Sequence, residues 1–382
     1  MKVVTAIDSF KGSLSSAELS RHITEGIKNV YPEAEIISIP VADGGEGTVE
    51  ALISGTGGKI VECTVHDPLM RTVKAKYGIL GNGKTAVIEM AEASGLTLLD
   101  EKERNPLKTT TYGTGELIKD ALNRGCREFI IGIGGSATND LGMGMMQALG
   151  VSFKDENGNE LSGTGSSMEK VADIVTADIL PELKNCSFTI ACDVDNPLYG
   201  ENGAAYVYAP QKGADEKMVV QLDSGLKSLS DKIRIRTGKD ISTIPGAGAA
   251  GGLGGAFVAF LDGELRSGIE IVLKTLEFEK KAEGADVVIT GEGRIDGQSV
   301  MGKAPTGVSN ICKEKGIPVI AFAGSLTDDA TVTHDYGITS LFSIMNYPMQ
   351  LKEAMQPETA SKLIRKNTEE VFRLIKAFKG RD

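Results

Sequence analysis

Both ends of this 382-residue chain carry one rhythm: a short apolar strand, a glycine- or aspartate-bearing loop, then an amphipathic helix. That rhythm restricts the fold more than any other feature. Val3-Val4-Thr5-Ala6-Ile7 reads as a buried strand and Asp8-Ser9-Phe10-Lys11-Gly12 as a loop. Ser13 to about Val30 reads as a helix, with Ser15 and Glu18 at capping-box spacing and Pro32 as its stop. Strand 35–40, loop 41–47 and a helix to about Ser54 repeat the order. From Ala285 it returns, with strand Asp286 to Thr290, helix 303–316, strands 318–323 and 340–345, and a closing helix 357–379. Two strands before and three after make one five-stranded sheet. The predicted fold is α/β, a flavodoxin-like (Rossmann-like) doubly wound parallel sheet built from both termini.

The middle of the chain reads differently. Alternating β-branched runs at 59–65, 72–80 and 85–91 predict antiparallel strands. Helix 114–124, strand 128–133, helix 141–149, strand 187–192, helix 215–236 and a glycine-rich entry to helix 245–262 follow. The expected organisation is therefore a discontinuous domain of residues 1–59 and 285–382 with a mixed α/β domain, residues 60–284, inserted between its second and third strands. A chain of this length is expected to divide in this way. Two crossings, near Ile60 and Gly284, should let the domains hinge over a substrate.

A net charge of −11 argues against nucleic acid and anionic membranes as partners, since no long Lys/Arg run overrides it. An anionic small molecule must then be held by local cations and backbone N–H groups. The five cysteines are scattered without a Cys-x-x-Cys pair, and the first residues lack the long apolar region of a signal peptide. The expectation is a cytoplasmic chain with reduced thiols. Self-association into a homo-oligomer stays open.

In an open doubly wound sheet, ligands bind outside the carboxyl ends of the strands. That rule selects Asp8 to Gly12, Ala42 to Gly47, Gly291 to Asp296 and Gly324-Ser325, all read as loops that combine glycine with ionisable or hydroxyl residues. In the middle region, Ile130 to Asp140 is a buried strand running into Gly134-Gly135-Ser136-Ala137-Thr138-Asn139-Asp140, which suits a phosphate cradle. Asp193-Val194-Asp195-Asn196-Pro197 ends a strand in the oxygen ligands that Mg²⁺ accepts.

Two motif matches fail on context. Gly78 to Thr85 satisfies the P-loop pattern, but Thr85 to Met90 alternates as a strand where a P-loop needs a helix, so Gly81-Asn82-Gly83 reads as a hairpin turn. Gly132 to Ala137 and Gly246 to Gly251 fit a dinucleotide fingerprint, which is cheap in a chain with 47 glycines, and Asp155 falls in a polar turn. An NAD(P)-dependent oxidoreductase acting on a small hydroxy acid is the alternative, and a two-lobed binding protein a third.

Taken together, Asp8-Ser9-Phe10-Lys11-Gly12, Ala42 to Thr48, the Gly134 to Asp140 loop, Cys192 to Leu198 and Thr290-Gly291-Glu292-Gly293 closely resemble, in order, the bacterial glycerate kinase family without a P-loop. The likeness spans the chain, although Leu141 stands where that family often has glycine. The resemblance implies phosphorylation of D-glycerate by ATP with Mg²⁺, giving 2-phosphoglycerate in preference to 3-phosphoglycerate. Phosphoryl transfer needs held phosphates, a metal ion and a carboxylate aimed at the attacking hydroxyl. On this reading Asp193, or Asp296 in its place, serves the hydroxyl and Lys11 supplies the catalytic cation. Asp8, Ser9, Asp43, Gly44, Gly45, Glu46 and Arg71 would bind substrate. Gly134, Gly135, Ser136, Asn139, Gly291 and Lys303 would bind ATP, and Asp193, Asn196 and Glu292 the metal.

Overall fold

The computed structural model describes residues 1–300 and 302–379. Among them the strands are β1 (Lys2–Ile7), β2 (Glu35–Ser38), β3 (Lys59–His66), β4 (Thr72–Ile79), β5 (Thr85–Glu89), β6 (Glu128–Gly132), β7 (Ser152–Lys154), β8 (Asp173–Val175), β9 (Ser187–Ala191), β10 (Glu264–Arg266), β11 (Val287–Ile295), β12 (Val319–Leu326) and β13 (Ser340–Ser343). The chain divides into two compact units. One contains Met1–Asp43, Glu50–Gly55 and Ile269 onward; the other contains Gly44–Val49 and Thr56–Gly268.

In the first unit the sheet order is β13-β12-β11-β1-β2, and every pairing is parallel. This is the doubly wound arrangement expected from the sequence. β1 is buried from Val3 to Ile7, as a central strand covered on both faces must be. Helix Ser16–Val30 begins with the capping box, in which the Ser15 hydroxyl accepts from the Glu18 N–H while the Glu18 carboxylate accepts from the Ser15 N–H. Leu19, Ile23, Ile27 and Val30 bury one stripe of it. Its partner is helix Pro357–Lys379, and a Cβ at Gly26 would lie 2.6 Å from the Arg365 carbonyl, so the contact admits only glycine.

The structure corrects one boundary that matters. Gly291 to Asp296 is not a loop: β11 continues to Ile295 and pairs with β12 as far as Ile295↔Leu326, which also places Gly324 and Ser325 inside a strand. The glycines here permit close ladder contact. A Cβ at Gly291 would sit 1.9 Å from the Phe322 carbonyl oxygen, and one at Gly324 2.6 Å from that of Gly293.

The second unit holds the six-stranded sheet β10-β9-β6-β5-β4-β3, antiparallel through β3-β4-β5 and parallel from β5 to β10, and a separate antiparallel pair, β7-β8. Its core gathers Tyr77, Ile88, Phe129, Ile131, Phe188, Phe257 and their neighbours. The predicted helix 245–262 is instead a kinked 3₁₀ turn, Ala249–Gly252, leading into helix Leu253–Leu261, because Ala250 and Gly251 adopt left-handed backbone conformations. Leu141, the departure from the family pattern, takes φ 49°, a conformation that costs glycine least. The antiparallel pair β7 and β8, β10 and helices Gly268–Thr275 and Phe278–Ala282 are short and were not anticipated.

The turn between β4 and β5 settles the P-loop question. Leu80 and Thr85 are bonded across it, the Asn82 side-chain oxygen accepts from the Lys84 and Thr85 N–H groups, and Gly83 has φ 69°. Lys84 is exposed at a hairpin tip. Lys84→Ala should change stability by no more than about 0.5 kcal/mol. Turnover and substrate KM should stay within about twofold of the parent, as steady-state kinetics would check.

All five cysteines are free, with Cys126 and Cys312 buried. No described helix is long and apolar enough to cross a membrane.

Candidate active site

The strand order of the first unit reverses between β1 and β11, so the crevice beyond their carboxyl ends is where a ligand site is expected. Asp8 follows β1 there. Its residue is only 3% exposed, its backbone N–H donates to the Gly291 carbonyl, and one carboxylate oxygen accepts from the Ser9 N–H at 2.6 Å. Burial pushes its carboxyl up from 3.8 to about 7, helped by the negative charges of Asp43 and Glu292 and opposed by the Ser9 N–H and the Lys11 ammonium. Lys11 Nζ lies 3.4 Å from Asp43 Oδ2. Burial alone would lower the Lys11 ammonium, but Asp43, Asp8 and Glu292 together hold it above its ordinary value.

A second group forms where β11 ends. Ser299 Oγ donates to Glu292 Oε1 at 2.6 Å and accepts from the Asp296 N–H, while Lys303 Nζ stands 3.7 Å from Glu292 and 3.9 Å from Asp296. Burial raises the Glu292 carboxyl; Ser299 and Lys303 pull it down, and Asp43 and Asp296 push it up. The structure thus gathers Asp8, Lys11, Asp43, Glu292, Asp296 and Lys303 into one charged neighbourhood. Gly291 is packed inside the sheet and contributes backbone only.

In the second unit the Gly134 to Asp140 loop leaves β6 with several of its carbonyls already bonded. Gly135 O accepts from the Leu96 N–H, Ala137 O from Thr109 Oγ1, and Thr138 O from Lys212 Nζ. No acceptor among the described residues takes the N–H groups of Gly134, Gly135 or Ser136, and both glycines are exposed. Bonded carbonyls beside N–H groups without an acceptor are an arrangement that can receive an anion, as the sequence expectation of a cradle requires. Asp140, wholly buried, is the anchor: it accepts from the Thr111 N–H and hydroxyl at 2.8 Å and from the Gly142 and Gly144 N–H groups, and burial raises its carboxyl despite them. Asn139, within the loop, is fully buried with neither amide atom bonded, so its side chain is not on the exposed side with Gly134 and Gly135 as the sequence suggested.

Gly44 and Gly45 pack over the ends of the same sheet. A Cβ on Gly44, at φ 93°, would meet Gly268 Cα at 2.7 Å, and one on Gly132 would meet the Gly44 carbonyl at 2.8 Å. Glu46 is exposed beside them.

Three predicted residues have protein partners of their own. Arg71 donates to Asp67 at 2.6 Å, to Glu103 at 2.7 Å and to the Leu98 carbonyl, closing the Asp67–Arg71 turn. Asn196 donates to the Asn202 carbonyl, and its side-chain oxygen accepts from the Tyr208 hydroxyl at 2.5 Å. Asp193 is exposed, and one of its oxygens accepts from the Gly268 N–H at 3.1 Å. Among the described residues no preformed cluster of three His, Cys, Asp or Glu ligands occurs.

Sequence reading missed two residues. Glu89, at the end of β5, accepts from the Val49 N–H and is raised by burial. Lys212 is buried under the cradle. Neither stands in a recognisable motif, and an isolated lysine carries no periodic signal. The dinucleotide reading also fails on geometry. The helix after β6 starts only at Met143, and Asp155 is occupied by the Asn157 and Asn159 N–H groups of a turn.

Comparison with known proteins shows the family. The profile of the glycerate kinase family matches residues 3–376. The Escherichia coli (strain K12) protein named glycerate 2-kinase is 51% identical over 93% of both chains. The glycerate kinase of Halalkalibacterium halodurans is 48% identical, again over 93% of both. The crystal structure of a candidate glycerate kinase 2 from Salmonella typhimurium LT2 superposes with a TM-score of 0.92 at 44% identity, covering 100% of this chain and 99% of that one. The chain is a kinase and belongs to the glycerate kinase family.

Proposed function

We propose that the chain transfers the γ-phosphoryl group of ATP to the 2-hydroxyl of D-glycerate. The observation that carries this reading is the placement of the Asp8 carboxyl, buried at the switch point of the sheet with the charges of Lys11 and Asp43 near it, where burial pushes it up to about 7. A general base works best with a pKa near the operating pH. Asp193, by contrast, is exposed and accepts from the Gly268 N–H. Asp8 would take the hydroxyl proton as the glycerate oxygen bonds to the γ-phosphorus and the bond to the β,γ-bridging oxygen breaks, releasing ADP. Lys11 would hold the substrate carboxylate and balance the charge that spreads over the transferring group. The Gly134, Gly135 and Ser136 N–H groups would hold nucleotide phosphates.

Mg²⁺ suits the first unit. The ion takes one or two carboxylates, leaving its other positions to water and phosphate. Glu292 and Asp43 offer such carboxylates; burial is the main cause that raises Asp8 and Glu292, and the repulsion from neighbouring carboxylates that adds to it is what a cation relieves. When bound, the metal would neutralise phosphate charge. Asn196, its oxygen held by Tyr208, is the weaker candidate of the set. Five free thiols suit a reducing cytoplasm.

Incubation with Mg-ATP and D-glycerate, followed by phosphorus NMR, should show ADP and 2-phosphoglycerate accumulating together. A product signal from 3-phosphoglycerate alone would overturn the regiochemistry, and absence of glycerate-dependent ADP would overturn the substrate assignment.

A further inference from the structure

The least expected side chain of the second unit is Lys212. It sits in the 3₁₀ turn Pro210–Lys212, is 1% exposed, and points its ammonium at Ser136 Oγ and the Thr138 carbonyl, both at 2.7 Å. No described carboxylate is within ion-pairing distance of it. Asp140, the one charge felt at the site, spends its oxygens on Thr111, Gly142 and Gly144. A buried cation held by neutral oxygens is costly, and burial accordingly lowers this ammonium to about 7. Beside it the Thr138 hydroxyl and the Asn139 amide are also buried without partners. So much unspent polarity behind one exposed loop marks a segment built for something other than stability.

We propose that Lys212 is a positioning residue of the anion cradle: from beneath, it fixes Ser136 and Thr138 so that the Gly134, Gly135 and Ser136 N–H groups converge on the polyphosphate of a nucleotide. This rests on the reading of that loop as the phosphate site. Two of the three ammonium protons bridge the two ends of the Ser136-Ala137-Thr138 turn, so the loop cannot flatten without breaking a charge-assisted bond. A phosphate on the exposed side would also supply the negative charge that the buried site lacks, so the cost of the cation falls when ligand arrives. Lys212 touches the loop and not the reacting atoms, and its effect should fall on nucleotide affinity.

Isothermal titration calorimetry with Mg-ADP, together with thermal melting, tests this in three variants. Lys212→Met keeps the volume and removes both bonds. It should weaken ADP binding about 10- to 100-fold, as loss of loop geometry does, while melting at or above the parental temperature because a costly buried charge is gone. In kinetics KM for ATP should rise while KM for glycerate holds. Gly134→Val blocks the cradle directly and tests the underlying reading: unchanged ADP affinity there would remove the loop from the phosphate site. If Gly134→Val weakens ADP but Lys212→Met binds within about twofold of the parent, the loop reading stands and the Lys212 proposal is overturned. Should Lys212→Met fail to fold, Ser136→Ala, which retains the lysine, must weaken ADP several-fold; unchanged affinity there also overturns the proposal.

Discussion

Asp8→Asn should lower kcat by about 10²- to 10⁴-fold, the range that general-base catalysis supplies, and should make the protein more stable at pH 8. Both effects come from one cause. The unfolded chain holds this carboxyl near 3.8 and the folded chain near 7, so between those values the folded state binds the additional proton. Stability therefore falls as pH rises through that window, and the cost of the buried carboxylate is fully present above it. That cost reaches up to about 4 kcal/mol at pH 8. Asparagine retains an oxygen for the Ser9 N–H and carries no charge. Its melting temperature should exceed the parent's by several degrees at pH 8, with the advantage gone near pH 4. A variant that lost activity and stability together would instead mark Asp8 as a loop-fixing residue. In the parent, kcat/KM should climb with pH through an acid limb near 7, and the Asn variant should lack that limb.

Lys11→Ala should reduce kcat/KM for glycerate by about 10²- to 10³-fold, as loss of a preorganised charge contact does. It should also move the acid limb. Lys11 is one of the groups holding Asp8 down, so its removal leaves burial, Asp43 and Glu292 to raise the Asp8 carboxyl further. The limb should then shift above pH 7. Lys11→Arg, which keeps the charge, should recover part of the rate and most of the limb position. A Lys11→Ala profile with the parental limb would separate Lys11 from Asp8 and overturn their pairing. The two variants are not expected to add, because each changes the electrostatics of the other.

Much of this arrangement was legible in the amino acids. Val3 to Ile7, Val287 to Thr290 and Val319 to Ala323 are apolar apart from Thr5 and Thr290, the mark of parallel strands covered on both faces, and their order predicts the five-stranded sheet. Ser15 and Glu18 announced a helix start by a local pattern that needs no tertiary context. What could not be read depends on contacts distant in sequence. Gly291 and Gly324 look like loop residues until the neighbouring carbonyls of Phe322 and Gly293 are in place. Arg71 looks free to bind an anion until Asp67 and Glu103 close around it. Asp8 reads as one more polar loop residue, because burial and the approach of Asp43 and Glu292, which tune it, exist only after folding. Lys212 is the limiting case, since nothing in Ala209-Pro210-Gln211-Lys212-Gly213 reports that its ammonium will be enclosed 76 positions from its serine partner.

The discontinuous sheet has a consequence for how the molecule is made. β1 pairs with β2 on one side and with β11 on the other, yet β11 leaves the ribosome roughly 250 residues after β2. At 5–20 residues per second that is a delay on the order of 10–50 s. The inserted unit is complete by then, because its last strand, β10, precedes β11. Synthesis therefore folds the Gly134 to Asp140 loop first and leaves the pair β1 and β2 waiting with one edge of β1 uncovered. The residue with the most exacting environment in the proposed chemistry, Asp8, acquires that environment last.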